Sequence, residues 1–494
     1  MMRRPLIFAL AAALFTTAAP VAAKPKAPKL DREVWYGFEF LGNKVGYMVA
    51  RDEGTLLNDQ PAYHLNRHTV VTVKRKAEVI NVESSTDLWV TPDLTPLRFK
   101  NERREGSEVR TVEGYRDGTS FVIRRALGGN LEERRIPMKG LRLAMSLDLL
   151  LYRGLSKGKK WTGRALGEED GDVHDYEVEV TEAKGKGKAQ RFVVKSRVGK
   201  LATLSVVEPD GTIETTEVVG IGAKYTKMPR DEAVNLTAEL DVFSRGLFES
   251  PVPLPPGHQL DRITVELKTK SGQPPRYKAD RRQKVKRKRK KSVTLELSTD
   301  RAPKKAPRLP IQNKKVKEFL KETPYEPLLD ERLVATAQRV VGAEKDAWAA
   351  ARAINAFVFR HIQNKSLARA YATAPEALAT REGDCTEHAT LFSALAKIVG
   401  IPTRHATGLV YVGQKDNVFG YHEWVEVWMG SGGWVAMDPT FGQDIADATH
   451  IKFAQGQTDS EGLQEAGITA AAVIGDLDLS VLEYVTVDGA KKKI

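Results

Sequence analysis

The spacing of apolar residues changes partway along this chain, and that change limits the folds open to it. From about residue 33 to about 245 the apolar residues come in short runs rich in β-branched and aromatic side chains, such as Val34 to Leu41, Val45 to Arg51, Phe121 to Arg125 and Leu201 to Val207. Turn-forming residues separate them at Gly42-Asn43, Asp117-Gly118, Gly128-Gly129-Asn130 and Pro209-Asp210-Gly211. Short strands joined by tight turns predict an antiparallel meander. One helix, around Leu141 to Arg153, interrupts it. After about Tyr325 the period becomes helical. Ala347 to His361 carries Trp348, Ile354, Phe357 and Val358 on one face. A second helix follows Asp384, with Leu391, Phe392, Leu395, Ile398 and Val399 as its apolar stripe, and Gly400 and Pro402 end it. Strands return at Ala406 to Val412, His422 to Trp428 and Trp434 to Asp438.

Two breaks divide the chain. Pro251 to Pro256 holds four prolines in six residues, and Ala302 to Pro310 is a second Pro/Lys-rich stretch. Between them, Ile263 to Leu267 and Val293 to Leu297 alternate like the strands of a small hairpin. A chain of 494 residues exceeds one ordinary domain. The expected organisation is a signal peptide at 1–23, a β-rich N-terminal domain at 24–250, a Pro-rich and basic linker or small β-hairpin region at 251–310, and a further domain at 311–490.

The N-terminus reads as an export signal. Arg3 and Arg4 precede an apolar stretch from Leu6 to Phe15, and Val21-Ala22-Ala23 offers small residues for cleavage before Lys24. No later segment is long and apolar enough to span a bilayer, so no transmembrane helix is expected after cleavage. A periplasmic or secreted location follows. The chain has one cysteine, Cys385, and therefore no internal disulfide. Net charge is +13. Much of the excess lies in Arg281 to Lys291. Export argues against a nucleic-acid partner for that run and leaves an anionic cell-envelope polymer or a merely solvated loop. His64 and His68 stand four apart but lack a third ligand, so no metal site and no cofactor are expected.

The chemistry gathers around Cys385. Asp384 is the expected N-cap of its helix, which puts Cys385 in the first turn. Unpaired amides and the positive end of the helix dipole favour thiolate there and supply donors for an oxyanion. Gly383 leaves room for a substrate carbonyl. A thiol needs a base, and the base an orienting group. His422 opens one strand and Asp438 ends the next, with Gly430 to Gly433 as the turn between them. The two meet at one end of a hairpin, and the off-centre turn calls for a bulge or an offset. His388, Glu387 and Trp424 flank these residues, His388 as packing and the other two as supports.

Three stretches carry a family resemblance. They are Gly383-Asp384-Cys385 with Glu387-His388-Ala389, then Gly400-Ile401-Pro402-Thr403-Arg404, and then Tyr421-His422-Glu423-Trp424-Val425-Glu426 with Trp434-Val435 and Asp438-Pro439-Thr440-Phe441-Gly442. In order and spacing, residues from about 325 to about 455 resemble the bacterial branch of the transglutaminase-like superfamily. The resemblance implies an α+β chain, in which the N-terminal antiparallel β-rich domain precedes a papain-like core with the cysteine helix packed on an antiparallel sheet. It implies Cys385 as nucleophile, His422 as general base and Asp438 as orienter. The function expected is cysteine-dependent acyl transfer through a thioester, of peptidase, amidase or transglutaminase type, on a protein or peptide substrate. The alternative is a catalytically silent binding or scaffold protein of the cell envelope.

Overall fold

The computed structural model describes residues 26–494 apart from 76–77, 106–107, 128–129, 237–239, 242–245, 366–370 and 414–416. The expected signal peptide, and Gly128 and Gly129 of one expected turn, lie outside the described residues.

Among the described residues, the first half of the chain is one fifteen-stranded sheet. Eight strands, from Asp31–Phe40 to Asn130–Pro137, follow one another as a meander. Six more, from Lys160–Leu166 to Ala223–Lys227, form a second, and Leu141–Leu143 pairs parallel with its first strand. The two meanders join where Asp31–Phe40 pairs antiparallel with Ala223–Lys227. The expected interrupting helix is a 3-10 helix at Ala144–Arg153. The sheet curls, because Leu65, Leu88 and Phe121 of the first meander share one core with Leu143 and with Leu166 and Val180 of the second. Leu147, Leu149, Leu150 and Leu151 of the 3-10 helix plug that core. A flat sheet this wide would leave one apolar face in water, and curling buries it.

Two five-stranded sheets complete the molecule. In one, Val418–Trp428 pairs with Leu247–Glu249, Thr403–Tyr411 and Trp434–Met437, and Ile451–Gly456 lies beyond Thr403–Tyr411. The helix Cys385–Ile398 packs on this sheet and on Ala347–His361 and Ala374–Thr380. In the other, Leu260–Thr269 pairs with Ser292–Ser298 and with the late strand Leu477–Thr486. Leu267 and Leu295 from this sheet share a core with Leu409, Phe419 and Ile451 of its neighbour. The helix Ser460–Asp476 just before the late strand had no counterpart in the sequence reading. No described helix is long and apolar enough to cross a membrane.

The basic run is more than a loop. Gln283–Lys288 is a strand paired with Ser292–Ser298. Arg281 pairs with Asp300 at 2.6 Å. Arg282 is buried and donates to the carbonyls of Asp447, at 2.9 Å, and His450. Gln283 donates to Lys452 O at 2.8 Å and accepts from Lys452 N at 2.9 Å. The first three residues of the run are therefore structural, and the charge from Lys284 to Lys291 is exposed.

The shared core makes a stability prediction. Phe121 is fully buried and stacks on Phe99 with ring centroids 6.1 Å apart. Phe121→Ala should cost about 3–5 kcal/mol in urea unfolding followed by tryptophan fluorescence. A loss under about 1 kcal/mol would mean that the curled sheet has no packed interior.

Candidate active site

Cys385 is the first residue of its helix, as the cap predicts. The Asp384 side chain accepts from Thr386 N at 2.9 Å, and Glu387 Oε2 accepts from Asp384 N at 2.8 Å, which closes a capping box. Glu387 Oε1 also accepts from Ala372 N at 2.8 Å. Burial, and then the nearby Asp384, push the Glu387 carboxyl up to about 8. Gly383 has φ +152°, and a Cβ there would lie 2.4 Å from Glu387 Cβ. This glycine makes room for Glu387 rather than for a substrate carbonyl.

The sulfur is half-buried and accepts from the Glu423 amide. Burial pushes the thiol well above the usual cysteine range, and Asp384 and Glu423 add to the shift. The sequence expectation of a thiolate is thus reversed in the resting protein. Desolvation and carboxylates outweigh the helix end, whose influence is modest and short-ranged.

His422 Nε2 lies 2.7 Å from Asp438 Oδ2, and both residues are buried. Their meeting follows from register. Val425 stands opposite Met437 and Trp428 opposite Trp434. Continued one residue, that pairing sets Asp438 opposite Trp424, a diagonal step from His422 on the same face. The offset expected from the off-centre glycines is this diagonal step, and the pairing runs without a bulge. Asp438 Oδ1 accepts from Thr440 N at 2.8 Å and from Phe441 N at 3.2 Å. The Phe441 ring stacks on His422 with centroids 4.9 Å apart. Cys385 and His422 share no hydrogen bond among the described residues. The sulfur's bond to the Glu423 amide sets it next to His422, beside the middle of a strand that begins at Val418 rather than at His422.

His450 escaped the sequence reading. Its Nε2 is 3.0 Å from Asp438 Oδ2, and its Nδ1 is 3.2 Å from Asp447 Oδ1. Between two carboxylates its pKa rises to about 9 against the opposing cost of burial. His422, and then His450, outweigh burial and hold Asp438 far below the ordinary carboxylate range. His422, Asp438 and His450 bring ligand-type atoms within 4.8 Å of one another. Those atoms are engaged in hydrogen bonds, and a protonated His450 is no metal ligand, so the trio fits a proton-holding cluster better than a cation site.

A second buried network supports the strand from behind. His405 Nδ1 lies 2.6 Å from Glu423 Oε1, and its Nε2 lies 2.8 Å from Glu326 Oε1. Lys397 pairs with Glu326 at 2.5 Å, and Tyr371 donates to Glu423. Glu326 is held at about 2, with Lys397 first among the groups that outweigh its burial, and His405 is raised to about 9. His388, expected as packing, sits with Nδ1 2.5 Å from Asp384 O and Nε2 3.0 Å from Lys365 Nζ. Burial and Lys365 lower its pKa to about 4. Trp424 is fully buried and meets His450 edge-on at 5.1 Å.

Cys385 lines a cavity of about 1150 Å³ whose other walls come from the inner face of the fifteen-stranded sheet, the helix Ser460–Asp476, Tyr371 and Tyr421. Arg110, from that sheet, donates to Tyr325 Oη at 2.7 Å and to the Tyr371 carbonyl. One half of the chain thus steadies a segment beside the cysteine of the other.

Residues 334–439 match the model of the transglutaminase-like superfamily, so a transglutaminase-like domain lies in the C-terminal half. No curated protein matches the chain. Among solved structures, a candidate cysteine protease from Cytophaga hutchinsonii is similar at 14% identity and TM-score 0.32, over 48% of this chain and 89% of that one. A β-barrel-like protein with a domain of unknown function from Brucella abortus is similar at 10% identity and TM-score 0.32, over 40% of this chain and 95% of that one. A candidate protease from Parabacteroides distasonis is similar at 9% identity and TM-score 0.19, over 88% of this chain and 68% of that one.

The titrating groups set a pH dependence. His405 and His450 have folded pKa values near 9, above the ordinary histidine value. Their stabilisation is complete below pH about 6.5 and is lost as pH rises through about 9. Glu168 and Glu387, raised to about 8, act in the same direction, because ionising them in the folded state is unfavourable. The urea midpoint should therefore fall between pH 6.5 and 9.5, and the fall should be smaller in His405→Gln. A midpoint that stays flat or rises would contradict these assignments.

Proposed function

We propose that the transglutaminase-like domain of this chain is a cysteine-dependent hydrolase of peptide or amide bonds, with Cys385 as nucleophile, His422 as general base and Asp438 as the group that orients His422. The observation that carries this reading is the 2.7 Å His422–Asp438 contact beside a helix-tip cysteine that opens on a large cavity. Asp438 engages Nε2 and leaves Nδ1 of His422 to take a proton.

As substrate binds, His422 accepts the Cys385 proton while sulfur attacks the amide carbonyl carbon. The C–S bond forms, and the carbonyl oxygen takes the negative charge. Asp384 already occupies the amides of Thr386 and Glu387, so the Cys385 amide is the donor left at the helix tip for that oxyanion. The C–N bond then breaks, and His422 returns the proton to the leaving amine. Water attacks the thioester with His422 again as base, releasing a carboxylic acid and the thiol. A cavity of about 1150 Å³ gives water ready access to the thioester, which favours hydrolysis over transfer to an amine. Because burial holds the resting thiol protonated, the proton leaves sulfur only once substrate has arrived.

A polypeptide substrate suits this chemistry. Export through residues 1–23 would place the enzyme in the periplasm or outside the cell, with the exposed Lys284 to Lys291 face free to meet an anionic envelope polymer. The second reading, a silent scaffold, is favoured by the missing Cys385–His422 bond and the raised thiol. Turnover decides between them. With a mixed peptide library read by mass spectrometry, Cys385→Ala should abolish cleavage, His422→Ala should lower it about 10²–10⁴-fold, and Asp438→Asn should lower it by at least about tenfold. Absence of cleavage by the unaltered protein, with the fold intact, would leave the scaffold.

A further inference from the structure

The cavity beside Cys385 reverses the charge of the chain around it. The whole chain carries +13, yet the cavity is lined by eight Asp and Glu side chains and only three arginines. Most of these charges are engaged. Arg67 bonds Asp52 at 2.6 Å, Arg103 lies 3.6 Å from Glu105, and Arg110 holds the Tyr325 and Tyr371 segment. Glu423 has His405, Asp170 has His174 at 2.8 Å, and Asp384 caps its helix. The surplus is Asp148, Glu168 and Glu169. Asp148 lies 3.7 Å from an arginine already committed to Asp52. Glu168 is only 2% exposed, and its partners are two backbone amides, of Met145 at 3.0 Å and of Glu168 itself. No cation reaches Glu168 or Glu169 among the described residues.

A buried carboxyl facing a cavity without a cation is costly to ionise, so Glu168 keeps its proton until a cation arrives to pair with it. Low-dielectric walls lined by one sign of charge also focus the field inside and draw in the opposite charge. Aliphatic wall residues beside the acids, among them Leu147, Val178, Val194 and Ile213, suit the methylene stem of a long basic side chain. We infer that the cavity is the binding chamber of the Cys385 site and takes a peptide segment bearing lysine or arginine, with Asp148, Glu168 and Glu169 as the groups that select the charge. The inference deepens the hydrolase reading by naming its substrate class. The acids near the sulfur oppose a thiolate, and a bound cation offsets them, so a substrate of this class would help to activate the nucleophile it reaches.

Binding can be tested without turnover, on the Cys385→Ala protein. The probes are a dansyl-labelled hexapeptide amide with three lysines and its twin with three glutamates, followed by fluorescence anisotropy at low salt. The lysine peptide should bind at least about tenfold tighter, against the attraction of a +13 surface for the twin. The Asp148→Asn, Glu168→Gln double variant should lose most of that preference. Equal affinities, a tighter glutamate twin, no saturable binding of either, or a preference unchanged in a folded double variant would each overturn the inference. Should circular dichroism show the double variant unfolded, Glu169→Gln and a salt titration of the Cys385→Ala protein decide, because the preference must shrink in both. Charge-selective binding without cleavage by the unaltered protein would sink only the hydrolase reading. Cleavage without charge selectivity would sink only this one.

Discussion

One carboxylate oxygen organises the candidate site. Asp438 Oδ2 is shared by His422 and His450, while Oδ1 takes two amides of the turn that follows. Every part of that arrangement is supplied from a different piece of chain. The strand pairing sets Asp438 a diagonal step from His422. The turn bearing His450 is held by Arg282, which reaches it from the sheet that also contains the late strand Leu477–Thr486. A buried anion needs paired and hydrogen-bonded neighbours to be tolerated, and here one of them, His422, is the group that the proposed chemistry protonates.

The cysteine shows how two opposed effects are decided by magnitude. A helix N-terminus favours negative charge by an amount of order 1 kcal/mol, and salt and solvent reduce it. Burial beside Asp384, Glu387 and Glu423 works the other way and prevails. A reactive thiolate would be open to oxidation, and a thiol kept neutral until substrate binds avoids that hazard.

What the sequence made legible is what local chemistry encodes. Turn residues and alternation marked the β-rich half, and the helix stop at Gly400 and Pro402 was readable because glycine and proline limit backbone choice. Asp384 marked the helix start, and the structure adds Glu387 as the other half of a capping box. Cys385, His422 and Asp438 stood in a spacing that strand parity could use. The rest depended on contacts between distant segments. Glu326 and His405 are 79 residues apart, and nothing near either predicts the other. His450 follows a turn whose path no local rule dictates. The joining of two meanders into one curled sheet rests on a pairing between the first strand and the last, which no periodicity reveals. The thiol expectation failed because a helix cap can be read from neighbours in sequence, whereas desolvation cannot.

The grip of Arg110 on the Tyr371 segment has a consequence for what counts as the functional unit. The stretch that matches the superfamily closes at residue 439, eleven short of His450, and it contains neither Arg110 nor Glu326. A transplanted core of those residues would carry the proposed reacting atoms but lack a wall, a counter-ion and the brace on one lip. A chain that kept this core and exchanged the β-rich half would keep Cys385, His422 and Asp438 with a different mouth, so the selectivity proposed for the cavity could diverge while those residues stay unchanged.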